Sequence, residues 1–311
     1  MKKHIVVKHI KRPLVFLIGV ETESSQHFNE YMQELEQLAK TAEVKVAEII
    51  VQKLKKPKTA TYIGTGKLKQ IKNRAQKLGV NTLIFNNNLS PSQQRNISDK
   101  TGCNVVDRTE LILDIFAKHA RTKQAKLQVE LAQLEYSYTK LKNKWQHLSR
   151  IQGGIGFRGP GETQIEVDRR EIQNKIALLK KKLDNIEKIT ESKRKRRKKL
   201  TSISLVGYTN AGKSTLFRKL TKNERYIADQ LFATLDSKTR AVSAELSEKV
   251  LLTDTIGFIR KLPHRLVSSF HATLLDVLEA DLLLHVVDIS QPNSQELIKA
   301  VDSVLQELEI E

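Results

Sequence analysis

The amino-acid sequence predicts an α/β protein with three parts in order: an N-terminal parallel α/β subdomain, a long antiparallel helical hairpin and a second α/β domain. Strand and helix patterns alternate through the first hundred residues. Two helical stripes of apolar residues flank a glycine-rich segment in the middle of the chain. After residue 200, an apolar strand runs directly into a glycine loop and a helix. We place the three parts at 1–108, 109–192 and 201–311, with a basic linker at 193–200.

The composition points to a polyanionic partner. Lys and Arg outnumber Asp and Glu by 54 to 35 in 311 residues, a net charge of +19, which favours nucleic acid or an anionic membrane surface. The membrane is the weaker candidate, because no apolar stretch approaches the roughly 20 residues of a spanning helix. The basic N-terminus with its short apolar run is better interpreted as a first strand than as a signal peptide. Cys103 is the only cysteine, which excludes an internal disulfide and favours a reduced, cytoplasmic protein.

The N-terminal subdomain is predicted from its alternating strands and helices. Strand-like runs occupy 13–20, 44–52 and 80–87, and a helix covers 26–42. Strands separated by helices of this length favour a parallel sheet. The stretch 62–71 contains G-x-G-K, which we interpret as a glycine turn that opens a helix rather than as a nucleotide loop. The apolar stripe of the first helix consists of Phe28, Tyr31, Leu35 and Leu38.

Residues 109–192 carry a different pattern. Their apolar residues alternate between four- and three-residue spacing, which is typical of helices that pack along one stripe. Because a glycine-rich loop at 149–164 separates two such stripes, we expect the helices to fold back on each other as an antiparallel hairpin. The first stripe consists of Leu127, Leu131, Leu134, Tyr138, Leu141, Trp145 and Leu148. The second consists of Ile172, Ile176, Leu179, Leu183 and Ile186.

The glycine-rich loop is longer than a hairpin requires, since a few residues are enough to connect two helices. It carries Arg150, Phe157 and Arg158 among its glycines. Cations and an aromatic ring on such a loop suit RNA, through phosphate contacts and base stacking. A connector without a binding role is an equally open alternative. The basic run that ends this part of the chain adds to its positive charge.

The sequence "GYTNAGKS" at 207–214 has the form G-x-x-x-x-G-K-[ST] of a phosphate-binding loop. The strand before it and the helix after it are the context that this motif requires. Gly207 and Gly212 let the backbone turn and direct its N–H groups at phosphate oxygens, and the helix N-terminus adds a positive dipole end. Lys213 is expected to reach the β- and γ-phosphates, and the hydroxyl of Ser214 is expected to bind Mg²⁺.

Two later motifs indicate a nucleotide-hydrolysing switch. The strand in 249–258 ends in D-x-x-G. We expect Asp254 to hold Mg²⁺ through water and the Gly257 N–H to contact the γ-phosphate. Thr234, which lies between the two motifs, is the candidate switch threonine on Mg²⁺. Phe258 stands where many such enzymes have a water-orienting Gln, so the catalytic residue is unknown. We therefore expect slow intrinsic hydrolysis, with a partner or another group completing the site.

Asn210, inside the phosphate-binding loop, has two interpretations. Its side-chain carbonyl can help hold a monovalent cation, K⁺, beside the phosphates. That cation would supply the positive charge that an arginine finger supplies in other enzymes. The alternative is that Asn210 stabilises the loop through local hydrogen bonds, as asparagine does in many turns. Both interpretations stay open on the sequence.

Four segments together resemble the HflX family of translational GTPases: "GYTNAGKSTLF", "LFATLD", "TDTIGFIRKLPHRLV" and, most specifically, "GGIGFRGPGETQIEVDRR". The resemblance covers essentially the whole chain and implies a Ras-like P-loop domain that binds GTP and GDP, with Ser214 and Thr234 on Mg²⁺. It also implies association with the large (50S) ribosomal subunit and a role in ribosome splitting or rescue, protein synthesis or ribosome biogenesis. The implied protein is a cytoplasmic monomer that does not insert stably into membranes. A fraction of its molecules is expected to associate with membranes. The implied nucleotide contacts are Gly207, Tyr208, Thr209, Asn210, Ala211, Gly212, Lys213, Ser214, Phe232, Ala233, Thr234, Leu235, Asp236, Asp254, Thr255, Ile256 and Gly257.

One motif of the family is not found. Guanine is read by an N-K-x-D motif that follows a further strand, whereas the Asn-Lys pairs at 143–144 and 174–175 lie in the hairpin and lack the Asp. We therefore expect the P-loop domain to be incomplete at its C-terminus, with apolar surface of its sheet uncovered. Selectivity for guanine over adenine is left open. An RNA-binding factor with an inactive nucleotide domain and an ATP-hydrolysing variant are the alternatives to a ribosomal GTPase.

Overall fold

The structure is a computed structural model that describes residues 12–23, 27–151, 164–195, 200–222, 230–232, 234–243, 249–260, 271–308 and 310. The chain divides into two compact units, Met1–Leu111 and Ile112–Glu311. Within the described ranges, each unit contains one four-stranded sheet. The boundary between them falls inside a helix, Arg108–His119.

The first unit is built on a parallel sheet, as the alternating pattern predicts. Its strand order is β2-β1-β3-β4, and every neighbouring pair of strands is parallel. Helices connect the strands, which is the crossover that parallel pairing requires. The elements are β1 (Leu14–Glu21), α1 (Phe28–Thr41), β2 (Lys45–Lys53), α2 (Thr65–Leu78), β3 (Thr82–Phe85), α3 (Pro91–Thr101), β4 (Asn104–Asp107) and α4 (Arg108–His119).

Strand β1 lies in the middle of this sheet because its sequence is apolar on both faces. Six consecutive residues of the strand are buried, which is typical of a parallel strand that is covered on both sides. Helix α1 packs close against it at Gly19, where a Cβ would meet the side chains of Phe28 and Met32 within 2.7 Å. The buried stripe of α1 therefore contains Met32, whereas Tyr31 from the predicted stripe is only half-buried.

The G-x-G-K stretch marks the start of a helix, as expected. Gly64 has an extended backbone and is the N-cap residue of α2, and its N–H donates to the side-chain oxygen of Gln52 over 2.9 Å. The helix then buries Leu68, Ile71 and Ala75 on one face. These contacts favour the structural interpretation of the stretch, because its backbone and side chains serve the packing of α2.

A buried ion pair joins Arg108 and Glu34 in the first unit. The guanidinium of Arg108 is 2% exposed, and its Nη2 lies 3.1 Å from Oε1 of Glu34. Its Nη1 donates to the side-chain oxygen of Asn86 over 3.2 Å. The pair thereby links helix α1 to the ends of β3 and β4, at the edge of the sheet where parallel strands terminate.

The second unit begins with the predicted antiparallel hairpin. Helices α5 (Lys123–Ile151) and α6 (Gln164–Lys195) pack against each other. The hydroxyl of Tyr138 accepts hydrogen bonds from Arg169 and Gln173, and Lys180 pairs with Glu135. Residues later in α6 pair with residues earlier in α5, so the two helices are antiparallel. Helix α6 extends three residues past 192 into the expected linker, and 196–199 lie outside the described residues.

The apolar stripes form the contact surface of this hairpin where side chains are described. On α6, Leu179 is buried and the other four residues of the predicted stripe are half-buried, while most of the remaining helix positions are exposed. On α5, Leu131 is buried, and Leu127, Leu134 and Tyr138 are half-buried. The side chains of Leu141, Trp145 and Leu148 lie outside the described part of the helix. No helix in the described residues is both long and apolar enough to cross a membrane.

The second sheet follows the hairpin and has the strand order β6-β7-β5-β8. Strand β5 is parallel to β7 and β8, and β6 is antiparallel to β7. Its core contains Leu205, Phe217 and Leu252. At its edge, Leu282 of β8 is 50% exposed. The elements are β5 (Ser202–Val206), α7 (Lys213–Leu220), β6 (Lys238–Ser243), β7 (Lys249–Asp254), α8 (His271–Leu278), β8 (Leu282–His285) and α9 (Ser294–Glu307).

The buried ion pair leads to a stability prediction. Glu34→Gln removes the charge opposite Arg108 and leaves that cation buried, so the first unit should lose about 3 kcal/mol or more. The exposed pair of Glu21 and Lys53, in which Lys53 is 82% exposed, supplies the control, and Glu21→Gln should cost less than about 1 kcal/mol. Hydrogen exchange of the β1 amides in increasing urea measures both. Equal losses in the two variants would contradict the assignment of Arg108 and Glu34 as a stabilising pair.

Candidate functional site

The phosphate-loop motif forms a tight turn between β5 and α7. Asn210 and Gly212 have left-handed backbones, with φ of 63° and 92°, a conformation that asparagine and glycine adopt most easily. At Gly207, a Cβ would collide with the carbonyl oxygen of Val286. The loop can therefore follow this path only with glycine at that position. Gly212 is the N-cap residue of α7, so the loop ends at a helix N-terminus.

Lys213 lies inside this loop rather than in solvent. Its side chain is 4% exposed, and its Nζ donates to the carbonyl oxygens of Gly207 and Tyr208 over 3.0 and 2.7 Å. Burial lowers the pKa of Lys213 to about 8, and the nearby Asp254 carboxylate opposes that shift. An anion in the loop would favour the charged form of the lysine, which makes Lys213 well suited to phosphate.

Three oxygen-bearing side chains from separate segments converge next to the loop. Ser214 Oγ donates to Oδ2 of Asp254 over 2.7 Å, and Thr234 Oγ1 donates to the same oxygen over 3.2 Å. The two hydroxyl oxygens are 2.9 Å apart. Ser214 comes from the first turn of α7, Thr234 from the loop before β6, and Asp254 from the end of β7. The structure thus brings together the three residues that the sequence assigned to Mg²⁺.

The surroundings of Asp254 offset only part of the cost of burying its negative charge. It is 1% exposed, and burial raises its pKa, with opposing contributions from Ser214, Lys213, Thr234 and Lys238. Its second oxygen, Oδ1, is buried without a hydrogen-bond partner in the described part of the chain. A buried carboxylate and two hydroxyls are the hard oxygen ligands that Mg²⁺ prefers, so the donor set fits that ion.

The D-x-x-G segment is held directly on the phosphate loop. Thr209 N donates to the carbonyl oxygen of Phe258 over 2.7 Å, and Phe258 N donates to that of Gly207 over 3.1 Å. At Gly257, a Cβ would lie 2.6 Å from Thr209 Cα and 3.0 Å from Lys213 Nζ. Only glycine permits this approach. The side chain of Phe258 is buried and offers no group that could orient a water molecule.

The pocket beside these groups encloses about 380 Å³, including its solvent-open part. Thr215 and Gln230 line it without having been predicted, although Gln230 directly precedes "LFATLD" in the sequence. The other lining residues were all predicted: Thr209, Asn210, Gly212, Lys213, Ser214, Phe232, Thr234, Thr255 and Gly257.

The remaining predicted residues lie around the pocket or outside the described structure. Gly207, Tyr208, Ala211, Leu235, Asp254 and Ile256 belong to the same segments but are not in its lining. The carboxylate of Asp236 accepts hydrogen bonds from Arg121 and Thr122. Ala233, Phe157 and Arg158 lie outside the described residues, and Arg150 is near the end of α5 with its side chain undescribed.

Three family models match successive parts of the chain. Residues 29–117 match the N-terminal region of a GTP-binding GTPase family, and residues 119–197 match the middle region of a GTP-binding GTPase family. Residues 202–311 match a family described as 50S ribosome-binding GTPases. The three matches follow one another along the chain and together cover most of it.

Solved structures of GTP-binding proteins share the fold. The GDP complex of SsGBP aligns with 96% of this chain and 79% of its own, at 30% identity and a TM-score of 0.55. A GTP-binding protein from Sulfolobus solfataricus in complex with GDP aligns with 96% of this chain and 77% of its own, at 29% identity and a TM-score of 0.52. Both alignments extend beyond the P-loop domain to nearly the whole chain.

Curated relatives give the family. GTPase HflX of Flavobacterium psychrophilum is 46% identical over 96% of this chain and 72% of its own length. The HflX proteins of Caldanaerobacter subterraneus and Escherichia coli are 49% and 47% identical over 92% and 90% of this chain, which span 67% and 66% of their own lengths. With family models over successive regions and relatives of this similarity, the chain belongs to the HflX family of GTPases.

Proposed function

We propose that this chain is a Mg²⁺-dependent GTPase that associates with the large ribosomal subunit and acts in ribosome splitting or rescue, protein synthesis or ribosome biogenesis. The observation that carries the proposal is the convergence of Ser214, Thr234 and Asp254 beside the buried Lys213. Phosphate-loop, switch and D-x-x-G residues meet in this way in sites where the γ-phosphate and Mg²⁺ order the switch segments. The names of the relatives and the GDP complexes of the structural neighbours support guanine as the base.

Binding of the phosphates would use groups that the fold already orients. Backbone N–H groups of 207–214 and the N-terminus of α7 would surround the β-phosphate. Lys213 would exchange its bonds to the loop carbonyls for bonds to the β- and γ-phosphates. Ser214 and Thr234 would hold Mg²⁺ directly and Asp254 through water; when bound, the ion neutralises charge on the β- and γ-phosphate oxygens.

The γ-phosphate would be detected by two groups from different segments. The Gly257 N–H would donate a hydrogen bond to the γ-phosphate. Thr234 would respond to the γ-phosphate because both would bind the same Mg²⁺. The buried Phe258 leaves the orientation of the attacking water to another group. The proposal therefore includes slow intrinsic hydrolysis that a bound partner accelerates by completing the site.

The ribosome is the partner that the charge and the family support. The second unit carries a hairpin with an exposed basic helix, where Lys175, Lys180, Lys181, Lys182 and Lys188 lie on the surface of α6. Such a surface binds nucleic-acid phosphates electrostatically. The proposal assigns RNA contacts to Arg150, Phe157 and Arg158 of the glycine-rich loop. It also describes the protein as a cytoplasmic monomer, a fraction of which associates with membranes.

The central test replaces the lysine of the loop. Lys213→Ala should lower ribosome-stimulated phosphate release from GTP by at least about 100-fold, because the site loses the cation that faces the transferred group. Sedimentation with large ribosomal subunits in the absence of nucleotide should be unchanged, since that binding uses the basic half of the chain. Phosphate release is measured with GTP and ATP side by side.

The matched control is Lys219→Ala, which removes an exposed lysine from the same helix and should leave phosphate release at the wild-type rate. Equal turnover of GTP and ATP by the wild type would support the ATP-hydrolysing alternative. Ribosome binding with no turnover of either nucleotide would support the RNA-binding factor. Either result would contradict the proposed function.

A second prediction concerns the monovalent cation. Asn210 lines the pocket with a left-handed backbone at the turn of the loop, a position from which its carbonyl oxygen can face a bound K⁺. Turnover in KCl should then exceed that in NaCl by about tenfold, because added positive charge stabilises the transferring phosphoryl group. Asn210→Gly, which keeps the backbone and removes the side chain, should abolish the difference. Equal rates in both salts for the wild type would exclude the cation.

A further inference from the structure

The switch loop, residues 230–237, is bound to the hairpin as well as to the phosphate loop. Oδ2 of Asp236 accepts hydrogen bonds from the backbone N–H groups of Arg121 and Thr122 over 3.1 and 3.3 Å. Oδ1 accepts one from the hydroxyl of Thr122 over 2.5 Å. These three bonds connect segments that are more than a hundred residues apart in the sequence.

Thr122 directly precedes helix α5, which begins at Lys123. Its hydroxyl oxygen accepts a hydrogen bond from Ala125 N over 3.1 Å, and its carbonyl oxygen accepts one from Lys126 N over 3.1 Å. This is the N-cap arrangement that satisfies free N–H groups of the first turn. Asp236 adds a negative charge at the same end, where the helix dipole favours it. The first turn of α5 is therefore organised partly by a residue of the switch loop.

A second contact supports the first. The rings of Phe232 and Phe116 meet edge to face, with centroids 4.6 Å apart, and both side chains are buried. Phe116 belongs to α4, which ends three residues before Thr122. The switch loop thus packs on the α4–α5 junction through an apolar and a charged contact, one on each side of Thr234.

The opposite side of the same loop faces the phosphate site. The backbone N–H of Phe232 donates to Oγ1 of Thr209 over 2.9 Å. Thr234 bonds to Asp254 and lies within hydrogen-bond distance of Ser214. Only Leu235 separates Thr234 from Asp236. A displacement of Thr234 that breaks its bonds to Ser214 and Asp254 is therefore close enough in the chain to disturb the bonds of Asp236 to α5.

We propose that Asp236 is a positioning residue that ties the switch threonine to the N-terminus of α5, so that the nucleotide at the phosphate loop sets the anchoring of the helical hairpin. The inference rests on the proposed function, because it requires that the switch loop respond to the nucleotide. It assigns Asp236, which the family pattern places among the nucleotide contacts, to a contact with the hairpin.

The geometry of α5 makes this anchoring consequential. The helix has 29 residues and is therefore about 44 Å long. A tilt of 5° about its first turn would move its far end by about 4 Å. That end, Ile151, lies in the glycine-rich segment to which the RNA contacts are assigned. A small change at the switch loop would thus alter the position of the end of α5 that leads into the proposed RNA-binding segment.

Hydrogen exchange of the purified protein with Mg²⁺ tests the proposal. The samples contain no nucleotide, GDP, or a non-hydrolysable GTP analogue, and the readouts are the amides of 207–216 and of 121–126. In the wild type, both nucleotides should slow exchange in 207–216. The GTP analogue should slow exchange in 121–126 by about tenfold relative to GDP, as expected when one charge-assisted set of bonds is stabilised.

The variants separate positioning from general stability. Asp236→Ala should abolish the nucleotide-dependent difference in 121–126, keep the protection of 207–216 and lower kcat with GDP affinity unchanged. Asp236→Asn should retain part of the difference, because an amide oxygen still accepts one bond. Thr122→Val should behave like Asp236→Ala, whereas Thr122→Ser should restore the wild-type response. Asp288→Ala, which removes a carboxylate that bonds only to 290–291 among the contacts described, is the control.

The possible failures are distinct. If neither nucleotide protects 207–216 in the wild type, the proposed function is wrong, and this inference is wrong with it. If 207–216 is protected but 121–126 exchanges equally with GDP and the GTP analogue, the inference alone is overturned. Loss of GDP affinity in Asp236→Asn to the same extent as kcat would assign Asp236 a structural role and would also overturn the inference.

Discussion

The carboxylate of Asp254 is the point on which the arrangement of the GTPase domain depends. It accepts hydrogen bonds from Ser214 of the phosphate loop and from Thr234 of the switch loop, and so joins both to the end of β7. Its position follows from the register of the sheet, because Asp254 lies opposite Leu205 in the parallel pair of β7 and β5. The carboxyl ends of adjacent parallel strands meet at one edge of a sheet, and this is where nucleotide sites form.

The electrostatics of this point explain why the site suits a charged ligand. Lys213 and Asp254 are both buried. Burial lowers the pKa of Lys213 and raises the pKa of Asp254, so it favours the neutral form of each, and the attraction between the two charges opposes both shifts. Desolvation of a buried pair often exceeds its mutual Coulombic gain. A phosphate beside the lysine and a divalent cation beside the carboxylate would each favour the charged form of its neighbour. The protein therefore holds its two charges in a geometry that the nucleotide and its metal ion would complete.

Site residues that belong to a local sequence motif could be predicted from the sequence. Contacts between residues far apart in the chain could not. Gly207, Gly212, Lys213 and Ser214 were predictable because a phosphate loop constrains residues over eight positions. Thr234 and D-x-x-G were predictable because they follow that loop in the order of a nucleotide switch. The bonds of Asp236 to α5 carry no such pattern, since their partners lie 114 or 115 residues away. Helix α6 continues past the expected boundary because lysine and arginine are good helix formers and charge alone does not end a helix. The half-buried Tyr31 shows the same limit, since helical spacing did not distinguish it from its buried neighbour Met32.

The central claim is that Ser214, Thr234 and Asp254 form a site for Mg²⁺ and the γ-phosphate, and the metal dependence of nucleotide affinity tests it most directly. The affinities of the wild type and of Asp254→Asn for a fluorescent, non-hydrolysable GTP analogue and for GDP are measured in Mg²⁺ and in excess EDTA. We predict that Mg²⁺ raises the affinity of the wild type for the GTP analogue by about 100-fold, since the ion neutralises charge shared by two phosphates. The gain should be smaller for GDP and should largely disappear in Asp254→Asn. Equal affinity of the wild type for the GTP analogue with and without Mg²⁺ would contradict the account.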